Sequence, residues 1–563
     1  MRILTILLLG ACSKDEQLSE PDDTTPEPVV VLPTLAVSSP ERGIFIDASS
    51  VKLSGSVGAG SSALDGLTLN GSTAIPLTSD GAFSEPIGLS PGINIFGLRA
   101  EDDGGERAVD GRAVYAGPLH PPGEMLEEAV RMQLGPEVLD DDEDDLDDVA
   151  GIAEYMLEKS DVTSALVGQT IETSYADVTP TSLDYGAVEV NLVPVDGALL
   201  AEVVLYDLWM DFEASTWGLT TDGSIWADAA VLTTRLSISG DTVTPSNTDF
   251  DLQGYDGEID WLPDAILTWA EEYLEDEVAA TTEEMVSELI SDYLGAFAID
   301  TELVEGVGLS VALADADVSE DGLLLLLDAA VESSAGSLPS GVGSAITDGS
   351  APSWPLSDSP FSLAVDDDLV NQILFALWGG GALSGFEYGG TKLIALTGAE
   401  IAPPLGPLER LTMGMELPPM IGRATQDDMD ADLALGEWHM VFFREDGEEI
   451  SFSVNVRAGA QVSFNDADEL SLALDNRPAM ITMEIGVMSW PEALDPGDLA
   501  SLVKLMVPPL LGNADNFLPG ISLPPIDLGS FSESLDGIEL TPQELSLSVE
   551  SSGWIVLDGS FGK

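Results

Sequence analysis

From residue 124 onward the chain writes one order of segments twice, and this duplication limits the fold more than any other feature. The first copy opens on the apolar stretch Val130 to Leu134, crosses the acidic run "DDDEDDLDD" and enters the amphipathic "VAGIAEYMLE". The second opens on "FSLAV", crosses "DDD" and enters "LVNQILFALW". Period-two text follows in both: "VEVNLVPVDGALLAEVVLYDLWMDFEAS" and "WADAAVLTTRLSISGD" in the first, "DLALGEWHMVFFRED" and "EISFSVNVRAGAQVSF" in the second. Each copy then has a helix, from about Pro263 to Phe297 and from Leu499 to Leu511, and closing strands. The two starts lie roughly 220 residues apart, so the repeated unit is a whole domain. We expect two such domains, at 124–350 and 356–563. Long antiparallel strands with few helices need a second apolar surface, which the two helices per copy supply. The expected class is β-rich α+β.

The opening "MRILTILLLGAC" has one early Arg and an apolar run too short to span a bilayer, which favours a signal peptide over an anchor helix. Leu9-Gly10-Ala11-Cys12 resembles a bacterial lipobox. That resemblance makes residues 1–11 a lipoprotein signal peptide and Cys12 the lipidated start of the mature chain, giving the protein a membrane partner through its anchor. Ser13 stands where an inner-membrane retention signal would have Asp, so the outer membrane is the expected location, with its two faces both open. Cys12 is the only cysteine, which leaves no intrachain disulfide and puts the stability on packing. Residues 12–33 are rich in Pro, Asp, Glu and Thr without an apolar period and read as a tether.

Between residues 34 and 118, short alternating segments such as "SVKLSGSV", "GLTLNGS" and "GINIFGLRAED" recur at the spacing of a β-sandwich. Ser39-Pro40, the Leu69-Asn70-Gly71 turn and "LSPGINIFGLRAEDDGG" resemble bacterial Ig-like modules. Such modules act mostly as spacers, and no site is expected here.

The charge decides which partners are excluded. With 101 acidic against 18 basic side chains and a formal net charge of -83, the surface repels phosphate backbones, so nucleic acid is not a partner. His120 and His439 are the only histidines and fall in different expected domains, which leaves a Ser-His-Asp centre poorly supported, and sets of His and Cys metal ligands are excluded by count. The protein therefore reads as non-enzymatic and without a cofactor. The run Asp140 to Asp148 fails as an EF-hand, having Asp145 and Gly151 where Gly and an acid belong, and leaves only weak surface calcium binding.

Two helices carry the functional expectation. On Asp264 to Phe297 the apolar positions recur at helical spacing and Glu residues occupy the opposite face. On the second, Leu369, Val370, Ile373, Leu374 and Leu377 form a stripe, Asp366 to Asp368 stand at the N-terminus, and Gly379 to Gly381 end it. That stripe is too short to cross a bilayer.

"SPFSLAVDDDLVNQILFALWGGGAL", with Asn371 and Leu374, resembles the opening of the second barrel in the bactericidal/permeability-increasing (BPI) and lipid-transfer family of tubular lipid-binding proteins. "ISLPPIDLGSF" is similar to that family's Leu-Pro segment near its C-terminus. The resemblance implies two BPI-like domains, each a curved antiparallel sheet wrapped on a long helix, with acyl chains of a hydrophobic ligand held between. Trp269, Tyr273, Leu289, Tyr293, Phe297, Leu369, Ile373, Leu374 and Leu377 would line those grooves. The chain departs from the family in lacking a basic tip and the family's disulfide. The alternative from the residues alone is a surface scaffold or adhesin whose β-rich domains are solid, since an amphipathic helix on a sheet needs no ligand.

Overall fold

Ala198–Thr216 and Leu219–Ser239 alternate buried and exposed side chains along 19 and 21 residues, which only extended strands can do. In the computed structural model of the chain these two strands form one long hairpin, around which the first copy is built. The structure describes residues 31–141, 143, 146–159, 167–172, 176–259, 268, 271, 273–304, 306–333, 341–347, 349–389, 407–464, 469–489, 496–511, 521–522, 526–527, 529, 535 and 537–562.

The N-terminal strands are β1 (Thr34–Ser39), β2 (Ile44–Ile46), β3 (Ser50–Gly58), β4 (Leu64–Leu69), β5 (Thr73–Ala74), β6 (Ala82–Gly88), β7 (Gly92–Asp102) and β8 (Arg107–Ala116). They make two sheets, β1-β3-β6 and β2-β8-β7-β4-β5. Leu53, Val57, Leu67, Phe83, Phe96 and Leu98 form the core of this β-sandwich.

The first copy runs through β9 (Leu119–His120), β10 (Leu126–Leu134), α1 (Pro136–Leu139), α2 (Val149–Lys159), β11 (Ile171–Glu172), β12 (Asp177–Asp184), β13 (Val188–Val195), β14 (Ala198–Thr216), β15 (Leu219–Ser239), β16 (Thr242–Gln253) and β17 (Asp256–Ile259). A π-helical turn, Leu274–Val278, leads into α3 (Ala279–Gly295), and β18 (Ile299–Val304), β19 (Val307–Ser319), β20 (Gly322–Ser333) and β21 (Ser344–Ala345) close it. The second copy has β22 (Phe361–Val365), α4 (Asp367–Gly379), β23 (Phe386–Gly389), β24 (Leu408–Met415), β25 (Met420–Arg423), β26 (Ala431–Arg444), β27 (Glu449–Phe464), β28 (Glu469–Leu474) and β29 (Thr482–Ser489). It ends with α5 (Pro496–Leu511), β30 (Ile521–Ser522), β31 (Ile526–Asp527), β32 (Glu539–Val549) and β33 (Ile555–Gly562).

The two large sheets correspond strand for strand. In the first, β11-β12-β14-β15-β16 carries β13 on β14 and β17 on β15; in the second, β23-β24-β26-β27-β28 carries β25 on β26 and β29 on β27, and β30 adds one further strand on β28. A third sheet, β18-β19-β20-β10-β22-β33-β32-β31, joins them. Its centre is the antiparallel pair β10 and β22, in register Val130↔Val365, Met132↔Leu363 and Leu134↔Phe361. These strands open the two copies, so their pairing relates the copies by a local two-fold. It also closes two edges that would otherwise be open. The expected boundary at 350–356 is thus crossed by a continuous sheet, and one apolar core runs from Ala129 to Ile555 through both copies.

The helix expected from Pro263 to Phe297 is described as the π turn and α3; most of its first third, Trp269 included, lies outside the described residues, as do the expected signal segment and Cys12. Among the described residues no helix is long and apolar enough to cross a membrane.

Candidate functional site

In the first copy, α3 packs on β16 and β15. Val286, Leu289, Ile290, Tyr293 and Leu294 recur three and four apart and fall on its buried side, while Glu284 and Glu288 face solvent. On β16, Thr248, Phe250 and Leu252 share one face, and the Thr248 hydroxyl donates to Glu283 of α3, so this is the face the helix meets. Phe250 and Leu252, with Tyr255 just beyond and Tyr273 and Met285 on the helical side, pack against the core yet remain half-buried. An apolar seam thus lies half open where α3 meets the last strand of the sheet. Deeper along it Leu289, Tyr293 and Phe297 are buried, the two rings meeting edge-on at 5.3 Å.

Burial favours the neutral form of the tyrosine hydroxyls around this seam. Burial pushes the Tyr293 hydroxyl above its ordinary range, and the Asp148 charge adds to the effect. Burial does the same to Tyr255, with Glu271 and Asp256 contributing, and to Tyr273, with Glu277. Asp148 stands one residue before α2. Its Oδ1 accepts from the Gly151 N–H at 2.6 Å and its Oδ2 from the Asp141 N–H at 2.9 Å. Burial nonetheless pushes its carboxyl up to about 7. Asp140, at the start of the expected calcium run, is engaged within the protein, its Oδ2 accepting from the Leu192 N–H at 2.9 Å.

In the second copy, α4 is closed on every side. Every residue from Asp367 to Leu377 is buried, so Leu369, Ile373, Leu374 and Leu377 contact strands within a filled core. Asn371, fully buried, donates from Nδ2 to the Ile421 carbonyl at 3.0 Å and accepts the Ile421 N–H on Oδ1 at 2.9 Å, tying the helix to β25. Gln372 Oε1 accepts from the Val331 N–H of β20, and Trp378 Nε1 donates to the Met415 carbonyl of β24. Phe45, from the sandwich, meets the rings of both Phe375 and Trp378.

At the head of α4, Asp366 caps the helix by accepting the Asp368 N–H, as the acid-then-apolar pattern implied. Asp367 and Asp368 are buried and accept from the Thr347 hydroxyl and N–H at 3.2 and 2.9 Å. Burial pushes the Asp367 carboxyl up to about 8, helped by hydrogen bonding with Asp366 and by the neighbouring charges of Asp368 and Asp366. A shallow recess with a free volume of about 10 Å³, room for a single water, lies over this head, lined among others by Asp367, Ile421, Arg423, Asp430 and Gly553. It is below the size of an ordinary small-molecule pocket.

The sandwich, expected as a spacer, is docked on the second copy. A bulge in β26 puts Glu437 at φ +47 and turns its side chain out of the ladder. There Oε1 accepts from the Ala113 N–H of β8 at 2.8 Å and Oε2 from Arg42 Nη1 at 3.0 Å. Arg42 also donates to the Gly111 carbonyl, to Ser453 Oγ and to Asp110.

Of the residues the sequence singled out, the structure brings Tyr273, Leu289, Tyr293 and Phe297 to the half-open seam and places Leu369, Ile373, Leu374 and Leu377 in the closed core. Cys12 and Trp269 lie outside the described residues. Phe250, Leu252 and Tyr255 were missed, and Met285 was read only as part of the helix's apolar face; the alternation in "TDFDLQG" was the available signal for the first two. No family model matches the chain, and no curated protein does. Among solved structures the chain is similar to a lipopolysaccharide binding protein, at 11% identity and a TM-score of 0.37, over 78% of this chain and 99% of that one. It is also similar to P47 of Clostridium botulinum E1, at 10% identity and TM-score 0.29 over 78% and 100% of the two chains. P47 from Clostridium botulinum A2 aligns at 9% identity and TM-score 0.27 over 77% and 97%.

Proposed function

We propose that this protein is a non-enzymatic carrier that binds acyl-chain molecules in its first copy, along the seam between α3 and β16. The observation that carries this reading is the half-buried apolar set Phe250, Leu252, Tyr255, Tyr273 and Met285, continuous with the buried Leu289, Tyr293 and Phe297. A chain laid there removes apolar surface from both helix and strand, at about 25 cal/mol per Å². In this reading the two copies are BPI-like domains, the sandwich is an Ig-like module clamped to the second, and Cys12 carries the acyl anchor that holds the protein at the outer membrane.

The test is organic extraction and native mass spectrometry of the purified protein. Acyl-chain lipid in near-stoichiometric amount is the expected result, and a protein that never retains lipid overturns the reading. A solid scaffold is the second reading. The complete packing of α4 favours it for the second copy, which would then carry no ligand of its own.

A further inference from the structure

The long hairpin of the first copy ends in an exposed tryptophan. Thr216 pairs with Leu219, and the two residues between them, Trp217 and Gly218, have φ of +50 and +83, the signs of a type I′ turn. That turn favours Asn-Gly, and a bulky side chain at positive φ is disfavoured there. Trp217 is nevertheless present and is 97% exposed, with Leu219 beside it 58% exposed. The other end of the hairpin is fixed to the central sheet, the Gly197 N–H donating to the Val318 carbonyl at 3.0 Å. Seventeen steps of strand separate Leu199 from Thr216, so the tip stands roughly 55 Å from that anchorage at about 3.3 Å per residue.

The corresponding turn of the second copy differs. Between β26 and β27 it reads Glu445-Asp446-Gly447-Glu448, and Arg444 pairs with Asp446 at 2.8 Å and with Glu448 at 2.5 Å. One of two matched tips is thus polar and ion-paired, and the other is apolar.

Behind Trp217 lies an acidic belt. Glu213 and Asp222 are directly opposite one another and exposed, and Asp177 and Glu172 continue the belt onto β12 and β11. β11, β12, β14 and β17 contain no Lys or Arg, and the single Arg of β15, Arg235, is at the far end.

We propose that the Trp217-Gly218 tip docks into the headgroup region of a zwitterionic phospholipid surface. Indole suits that layer because one part of the ring is apolar and its N–H needs a wet partner. The belt repels anionic headgroups, and it equally repels a second copy of this chain. A narrow, convex two-residue tip offers little area to a protein groove, but it can part headgroups. This docking is independent of whether the seam holds an acyl chain.

The test uses the full chain carrying Cys12→Ser, so that no anchor is attached, in flotation with phosphatidylcholine vesicles, with phosphatidylcholine–phosphatidylglycerol vesicles, and without vesicles. The parent is expected to float with phosphatidylcholine at any salt concentration and less well with the anionic mixture. Trp217→Asn should lower the partition at least about tenfold, equivalent to about 1.4 kcal/mol. Its melting temperature should hold or rise, because Asn-Gly suits the turn. Trp217→Phe should retain most of the binding. The proposal is overturned if the parent does not float, if Trp217→Asn floats equally, if anionic lipid strengthens binding, or if Trp217 instead drives dimerisation without vesicles.

Discussion

Arg42 Nη1 lies 3.0 Å from Oε2 of Glu437, and the Glu437 side chain is completely buried. The two are separated by most of the chain, and their pairing fixes the N-terminal sandwich to the second copy.

Arg42→Ala leaves the buried Glu437 carboxylate without its counter-charge, at a cost of about 3–5 kcal/mol, whereas after Glu437→Gln the guanidinium keeps Asp110 and the loss is smaller. Arg42→Ala and Glu437→Gln should therefore each lower the denaturant midpoint and expose the 117–124 connection to protease. The double variant should lose less than the sum of the two. Additive losses would show that the pair does not act as a unit.

A steric change at the same interface should act alike without altering charge. A β-carbon on Gly111 would lie 2.7 Å from the backbone of Glu484 and Ile485 in β29. Gly111→Ala should cost about 1–3 kcal/mol and give the same protease cleavage. Unchanged cleavage would mean that the sandwich is not held there.

The buried carboxyls set a pH dependence. Asp367, at about 8 in the folded chain against an ordinary 3.8, holds a proton that the unfolded chain releases. Stability should therefore fall as pH rises from about 4 to about 8, and Asp148, pushed up to about 7, acts in the same direction. Thermal melts across this window should show the fall, and Asp367→Asn should flatten it and raise the midpoint at the alkaline end. A stability that rises with pH, or an unaltered slope in the variant, would refute the assignment.

Seam and core should respond differently to truncation. Phe250→Ala should reduce retained lipid per folded molecule by about tenfold with a small change in melting temperature. Leu374→Ala, in the closed core, should cost about 2–5 kcal/mol and leave lipid retention unaltered. Equal loss of lipid in both variants would place the ligand elsewhere.

Local signals in the sequence were readable and long-range ones were not. Asp366 as a cap, the glycines that end α4 and the repetition of long strands all follow from neighbours within a few residues. That Asp367, Asn371 and Gln372 are buried does not, because their partners Thr347, Ile421 and Val331 come from other strands. The stripe Leu369 to Leu377 looked like one face of a helix because apolar periodicity reports the most apolar side and is silent on polar residues buried opposite it. The seam was half legible: "DFDLQ" alternates like any strand, and only the position of β16 at the sheet's edge makes its apolar residues accessible. The sandwich was expected as a free spacer because the Arg42–Glu437 contact leaves no pattern at either end.

The pairing of β10 with β22 also dictates an order of assembly. As the chain is synthesised, β10 presents one unpaired edge until β22 has emerged, and β22 then waits with its own edge open until β33 arrives on its other side. The centre of the molecule is therefore the last part to be finished. A chain interrupted between the copies would expose the row of unpaired N–H and C=O groups that invites association between molecules, so having both copies in one intact chain is a condition for a well-behaved protein.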